Sequence, residues 1–207
     1  MSASSYIVKM WKILFLIHVG LAGIWATDYE LLLEDPDIFT PCTEAPPGTI
    51  FIRDAINFDQ LKVEQEADTI HISGNATTTW DLQPNDRIAA KFALFHHQRG
   101  NWEPTVFTMA TKDFCPMMYD KDQYWFKYWT SFITNREDVE QHCIKKLGTT
   151  LIHEPFDLRL MLKNIRGATL SGRYKTVISF EAFDERNVPR PHGVCFEIRG
   201  EAEKIKK

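Results

Sequence analysis

Leu170-Ser171-Gly172-Arg173-Tyr174-Lys175-Thr176-Val177-Ile178-Ser179-Phe180-Glu181-Ala182-Phe183 is the most regular strand signal in the chain, and its reading decides the fold. In an extended segment successive side chains point to opposite sides, so Tyr174, Ile178 and Phe180 share a face. The same period recurs upstream. Phe156, Leu158, Leu160 and Leu162 alternate with Asp157, Arg159, Met161 and Lys163 in what reads as one strand. Ile88, Ala90, Phe92 and Leu94 share a face of another, and Ile70, Ile72, Gly74, Ala76, Thr78, Trp80 and Leu82 mark a longer one. Residues 58–64 and 102–109 read as two more. Gln83-Pro84-Asn85-Asp86 and Arg99-Gly100-Asn101 are turns by composition, so the strands between 58 and 109 are expected to form an antiparallel meander. Downstream, a loop with Pro189 and Pro191 leads to a last strand, 194–200, with Phe196 and Ile198 facing one way. Residues 201–207 are expected to fray. Residues 29–41 are acidic, and Pro41-Cys42-Thr43-Glu44-Ala45-Pro46-Pro47-Gly48 is irregular. The expected fold is mainly β, an antiparallel β-sandwich or an open β-cup of seven to nine strands.

The period of two breaks in a helical insert around residues 122–147. Residues 122–133 hold Tyr124, Trp125, Phe126, Tyr128, Trp129 and Phe132. On a helix these fall with Ile133 inside an arc of roughly 200°. The segment therefore predicts a short amphipathic helix whose aromatic face either packs in the core or forms a lid beside a cavity. A second helix follows, with Asn135 and Asp138 at its start, Val139, Cys143, Ile144 and Leu147 on one face, and Gly148 as its stop.

Residues 1–26 read as a secretory leader. Lys9 and Lys12 precede an apolar run too short to span a bilayer, and Ala26 offers a small residue for cleavage. Cleavage there leaves 181 of the 207 residues as one domain, 27–207, and takes the formal charge from −4 to −6. An acidic chain argues against nucleic acid as a partner. Four cysteines in an oxidising compartment predict two disulfides with three open connectivities. Cys42 with Cys195 and Cys115 with Cys143 is the preferred pairing, because it ties the two ends together and staples the aromatic segment. Asn75-Ala76-Thr77 is a glycosylation acceptor, which places Asn75 at the surface of an exported protein.

Reactive constellations are missing from the sequence. No serine sits in a Gly-x-Ser-x-Gly elbow and no glycine loop could cradle phosphate. His96 and His97 lie on opposite faces of a strand, the other histidines stand alone, and the cysteines lack Cys-x-x-Cys spacing. The reading is no catalytic residue, no metal, no cofactor and no enzyme.

Taken together, Asp81-Leu82-Gln83-Pro84-Asn85-Asp86-Arg87, Arg99-Gly100-Asn101-Trp102-Glu103-Pro104-Thr105, Asp113-Phe114-Cys115, Cys143, Gly148-Thr149 and Glu154-Pro155-Phe156 resemble the insect chemosensory CheA/CheB family. So do Gly172-Arg173-Tyr174-Lys175, Ala182-Phe183-Asp184 and Cys195-Phe196-Glu197-Ile198. That family is distantly similar to the ganglioside activator protein and to the lipid-recognition group of small secreted β proteins. The resemblance implies a β-cup with a lipid cavity and an apolar ligand carried without covalent chemistry. It also implies a role in contact chemosensation, and activator-type bridges that would fall on Cys42–Cys195 and Cys115–Cys143. On this reading Trp125 and Trp129 sit at the cavity mouth with Tyr128 and Phe132, and Phe92, Leu160, Tyr174, Ile178 and Phe180 line the walls. Partners would be a lipid or other apolar small molecule, a membrane or cuticle lipid surface, and a chemosensory receptor. The alternative is an extracellular interaction module with a solid core that docks on a receptor or channel.

Overall fold

The computed structural model describes residues 26–35, 37–66, 69–166 and 169–205, so the leader expected over residues 1–26 lies, apart from Ala26, outside the described residues. The fold is mainly β, in two antiparallel sheets. The strands are β1 (Thr27–Leu33), β2 (Thr40–Pro41), β3 (Ile56–Glu66), β4 (Thr69–Thr78), β5 (Arg87–Gln98), β6 (Asn101–Thr111), β7 (Thr150–Leu158), β8 (Leu160–Ile165), β9 (Gly172–Phe183) and β10 (Val194–Lys204). The larger sheet has the order β6-β5-β9-β10-β1-β8, with β2 also on β10, and curls into a half-barrel. The smaller sheet, β3-β4-β7, lies across it.

The fold-deciding stretch is β9, at the middle of the curl, paired with β5 on one side and β10 on the other. Its Tyr174, Ile178, Phe180 and Ala182 are buried on the inner face, while Arg173 and Glu181 face solvent. Alternation is strict here because one face meets a core and the other meets water or polar cover.

Several features depart from what the sequence led one to expect. The strands between 58 and 109 do not form one meander. β3–β4 and β5–β6 are separate hairpins in different sheets, and the turn at Gln83 to Asp86 carries the chain across. The single strand expected over 156–163 is broken at Arg159: β7 ends at Leu158 in the small sheet, and β8 begins at Leu160 in the large one. A period of two continues through this corner because both sheets turn their apolar faces to the same interior. The acidic segment contains β1, whose Tyr29 and Leu31 are buried while Asp28 and Glu30 point outward. With β1 alongside, β10 extends to Lys204, opposite Tyr29, so residues 201–204 are held in a ladder. The strands flanking β4 carry the extra residues: Glu154 and Pro155 of β7 lie opposite Ser73 alone, and Phe58 and Asp59 of β3 opposite Ala76 alone, while Gly74, at φ +104°, lets the Gln60 carbonyl oxygen approach where a Cβ would collide.

The insert is helical but not one helix. α1 (Ile52–Ala55) precedes β3, and α2 (Tyr124–Tyr128) stops at Trp129, whose φ −144° and ψ −67° are non-helical. A 3₁₀ turn (Thr130–Phe132) and α3 (Arg136–His142) follow, and Cys143 at φ +52° ends α3 well before Gly148. No helix among the described residues is long and apolar enough to cross a membrane. Cys42 pairs with Cys195 and Cys115 with Cys143, at Cα separations of 5.8 and 5.6 Å. The first bridge fastens the segment after β2 to β10, and the second ties the approach to α2 to the end of α3.

Candidate functional site: an apolar cavity between the sheets

The interior is hollow. A cavity of about 520 Å³ lies between the two sheets and beneath the helical insert. The large sheet contributes Phe92, Ile178, Phe180, Phe196 and Ile198 from the inner faces of β5, β9 and β10. The small sheet contributes Phe58, Thr78, Leu151 and Leu158. Two stacked flat sheets approach to about 10 Å; with the larger one curled, a space lined from both sheets remains, ringed by buried side chains of both that form one continuous cluster.

The aromatic segment closes the third side. Trp125 is buried, its ring 5.1 Å from Phe92 and 5.4 Å from Phe114, and its Nε1 donates to the Met117 carbonyl at 2.9 Å. That bond satisfies the one polar atom of an otherwise apolar side chain and sets the ring as part of the wall. Trp129 packs edge-on to Phe39 at 5.6 Å and to His153 at 4.9 Å. His153 is itself buried, and desolvation lowers its pKa to about 4, so it is neutral behind the wall. The Tyr128 hydroxyl donates to the Met161 carbonyl and accepts from the Met161 N–H at 3.1 Å. Both are free edge groups of β8, so one side chain latches α2 to the rim of the large sheet and covers an otherwise open strand edge. Burial raises the pKa of that hydroxyl, which keeps it protonated and able to donate.

The mouth lies beside β6. In the β5–β6 ladder Ala93 faces Thr108 and Phe95 faces Pro104, which leaves Thr105, Val106 and Phe107 opposite Leu94 alone. Thr105 holds this bulge by donating from Oγ1 to the Leu94 carbonyl at 2.8 Å and accepting from Phe107 N–H at 3.1 Å. The bulge turns Val106 outward, 91% exposed while still bordering the cavity, and Tyr124 across from it on α2 is 44% exposed. None of the described residues that line the cavity is Asp, Glu, Lys, Arg or His.

Of the residues singled out from sequence, Trp125, Trp129, Tyr128, Phe92, Leu160, Ile178 and Phe180 line this space. Phe132 does not. Its ring stacks on Phe156 at 4.0 Å, because the break at Trp129 rotates the 3₁₀ turn away from the face that α2 presents. Tyr174 is on the inner face of β9 but at its far end. There it stacks on His96 at 4.3 Å within a second cluster that includes Tyr29, Leu31, Leu94, Ile165 and Leu170. Trp125 and Trp129 belong to the wall, and the mouth is formed by Tyr124 and Val106. Asn75 projects from the outer face of β4, half-buried, between the inward-facing Ile72 and Ala76. Sequence reasoning missed Ile38, Phe39 and Val106. Ile38 and Phe39 lie in the segment read as acidic, and two adjacent apolar residues between Pro36 and Pro41 are too short a run to show a period. Val106 falls in a strand that alternates well, and the bulge that turns it outward leaves no mark in composition.

No protein-family model matches the chain, and no curated protein matches it.

Proposed function

We propose that the protein is a secreted binding protein for a long-chain apolar ligand, a lipid, hydrocarbon or pheromone, held in the cavity between the sheets. The observation that carries this reading is the cavity itself: about 520 Å³, with walls of aromatic and aliphatic side chains closed by a helical insert. That volume falls in the range of small-molecule sites, which run from roughly 300 to 1,000 Å³. The two disulfides suit an oxidising, extracellular setting. Val106 and Tyr124 at the mouth suit brief contact with a membrane or cuticle lipid surface, since both are exposed and border the cavity. A role in contact chemosensation, with delivery to a receptor, rests on the resemblance to the CheA/CheB family. The rival reading, a solid module that docks through its aromatic helix, requires a filled interior and an exposed aromatic face. The buried position of Trp125 and the hollow beneath it favour the carrier reading.

The test is titration of the disulfide-intact protein with N-phenyl-1-naphthylamine, an uncharged apolar dye. Saturable binding near one dye per chain is expected, weakened by Ile178→Trp, which puts bulk into the wall. Absence of saturable binding by this dye and by long-chain alkanes would sink the proposal.

A further inference from the structure

Two features of the cavity, taken together, narrow the ligand beyond its being apolar. The first is the complete absence of charge among the described lining residues. A carboxylate or ammonium moved into such a space has neither water nor a counter-ion, and its charged form is strongly disfavoured. The second is that cations bordering the neighbouring hollows face carboxylates of their own. Lys127, Arg159 and Lys163 border, with Asp157, a smaller hollow of about 180 Å³ that shares Tyr128 and Met161 with the main cavity, and Arg159 donates to both carboxylate oxygens of Glu30. Arg53 borders, with its ion-pair partner Asp37, another hollow of about 290 Å³ that shares Ile38, Phe39 and Phe58 with the main cavity.

We propose that the cavity selects an uncharged long chain, whether hydrocarbon, alcohol or ester, and rejects the fatty-acid anion of equal length. This rests on the binding function proposed above and adds the ligand's charge.

The experiment is displacement of bound N-phenyl-1-naphthylamine at pH 8 by four matched sixteen-carbon competitors: hexadecane, 1-hexadecanol, methyl palmitate and palmitate. The alkane, the alcohol and the ester are expected to displace the dye to within about fivefold of one another, since at most one net hydrogen bond separates them. Palmitate is expected to be at least about a hundredfold weaker than its methyl ester, and to gain potency as the pH falls and its carboxyl protonates. Palmitate equal to its ester at pH 8, with a loss in Lys127→Ala/Lys163→Ala, would overturn the proposal in favour of an anionic head held in the outer hollow. If the wild-type protein binds neither the dye nor any competitor, the binding function itself fails, an outcome separate from that one.

Discussion

The two faces of β9 and β10 are made by alternate residues of the same strands, and they solve opposite problems. Inward, Ile178, Phe180, Phe196 and Ile198 border a space they do not fill. Outward, Lys175, Glu197 and Arg199 form an ion cluster that is filled completely. Glu197 is 1% exposed; its Oε1 accepts from Lys175 Nζ at 2.9 Å, from Thr43 Oγ1 at 2.8 Å and from Thr43 N–H at 3.0 Å. Its Oε2 accepts twice from Arg199, at 3.0 and 2.6 Å. The Lys175 ammonium also lies 5.0 Å from the Trp102 ring and 5.6 Å from Phe95. The Cys42–Cys195 bridge holds Thr43 over this cluster. A sheet that leaves one face loosely packed loses dispersion contacts there. On the opposite face, directional bonds and a disulfide hold the same strands in register. The comparison teaches that hollowness on one side is compatible with a defined shape when the other side is tightly bonded.

The largest effect should come from breaking the outer face. Glu197→Leu alone leaves Lys175 buried without its anion and is expected to cost about 3–5 kcal/mol in urea unfolding, whereas Glu197→Leu combined with Lys175→Met should recover most of that loss. If the single and double variants are equally destabilised, the cluster is not acting as a charge pair. Acid titration probes the small sheet and the outer cluster at once. His153 has its pKa lowered to about 4 from an ordinary 6.5, so the unfolded chain binds the extra proton first. Stability should therefore fall by about 3 kcal/mol as pH drops from 6.5 to 4, and His153→Leu should flatten that window. Glu197, in contrast, has its pKa lowered: burial opposes the shift, and the bonds from Lys175, Thr43 and Arg199 outweigh it. Its contribution is present above the ordinary carboxylate range and is lost only as pH falls through the lower folded value. Chemical denaturation at a series of pH values would separate the two phases.

A smaller effect distinguishes packed from hollow. Ile72, fully buried in β4 and not among the lining residues, should cost about 2–5 kcal/mol when cut to alanine. Ile178→Ala should cost clearly less, because one side of that side chain already faces open space, and should alter dye affinity instead. Equal costs would mean that the cavity closes around Ile178. Smallest of all is Tyr128→Phe, expected to cost about 1 kcal/mol for the lost latch. Faster dye entry in stopped-flow mixing would mark the latch as a gate.

Much of the architecture was legible because alternation is a local property. The inner residues of β5 and β9, the β3–β4 and β5–β6 hairpins, the helical interruption and the presence of two disulfides follow from spacing and composition, whereas the cysteine pairing, one of three open connectivities, is decided by the structure. The failures have one cause. Periodicity reports which way a side chain points relative to its own backbone and says nothing of which sheet that backbone joins. Hence residues 156–163 read as one strand when Arg159 is a corner, and Gln83 to Asp86 read as a hairpin turn when it is a crossing. The buried cluster was illegible for the same reason: Lys175, Glu197 and Arg199 occupy outward positions, where charge ordinarily means solvent, and only the return of residues 40–43 across β10 buries them.

The sequence by itself therefore determined the secondary-structure class, the apolar identity of the inward faces and the aromatic character of the insert, since each depends on neighbours within a few residues. Tertiary structure alone decided that a gap remains between the inward faces, and that Trp125 is wall while Tyr124 is mouth. Those depend on the curl of the large sheet and on the non-helical backbone at Trp129. Both arise from contacts between segments far apart in the chain, whose separation no local pattern records.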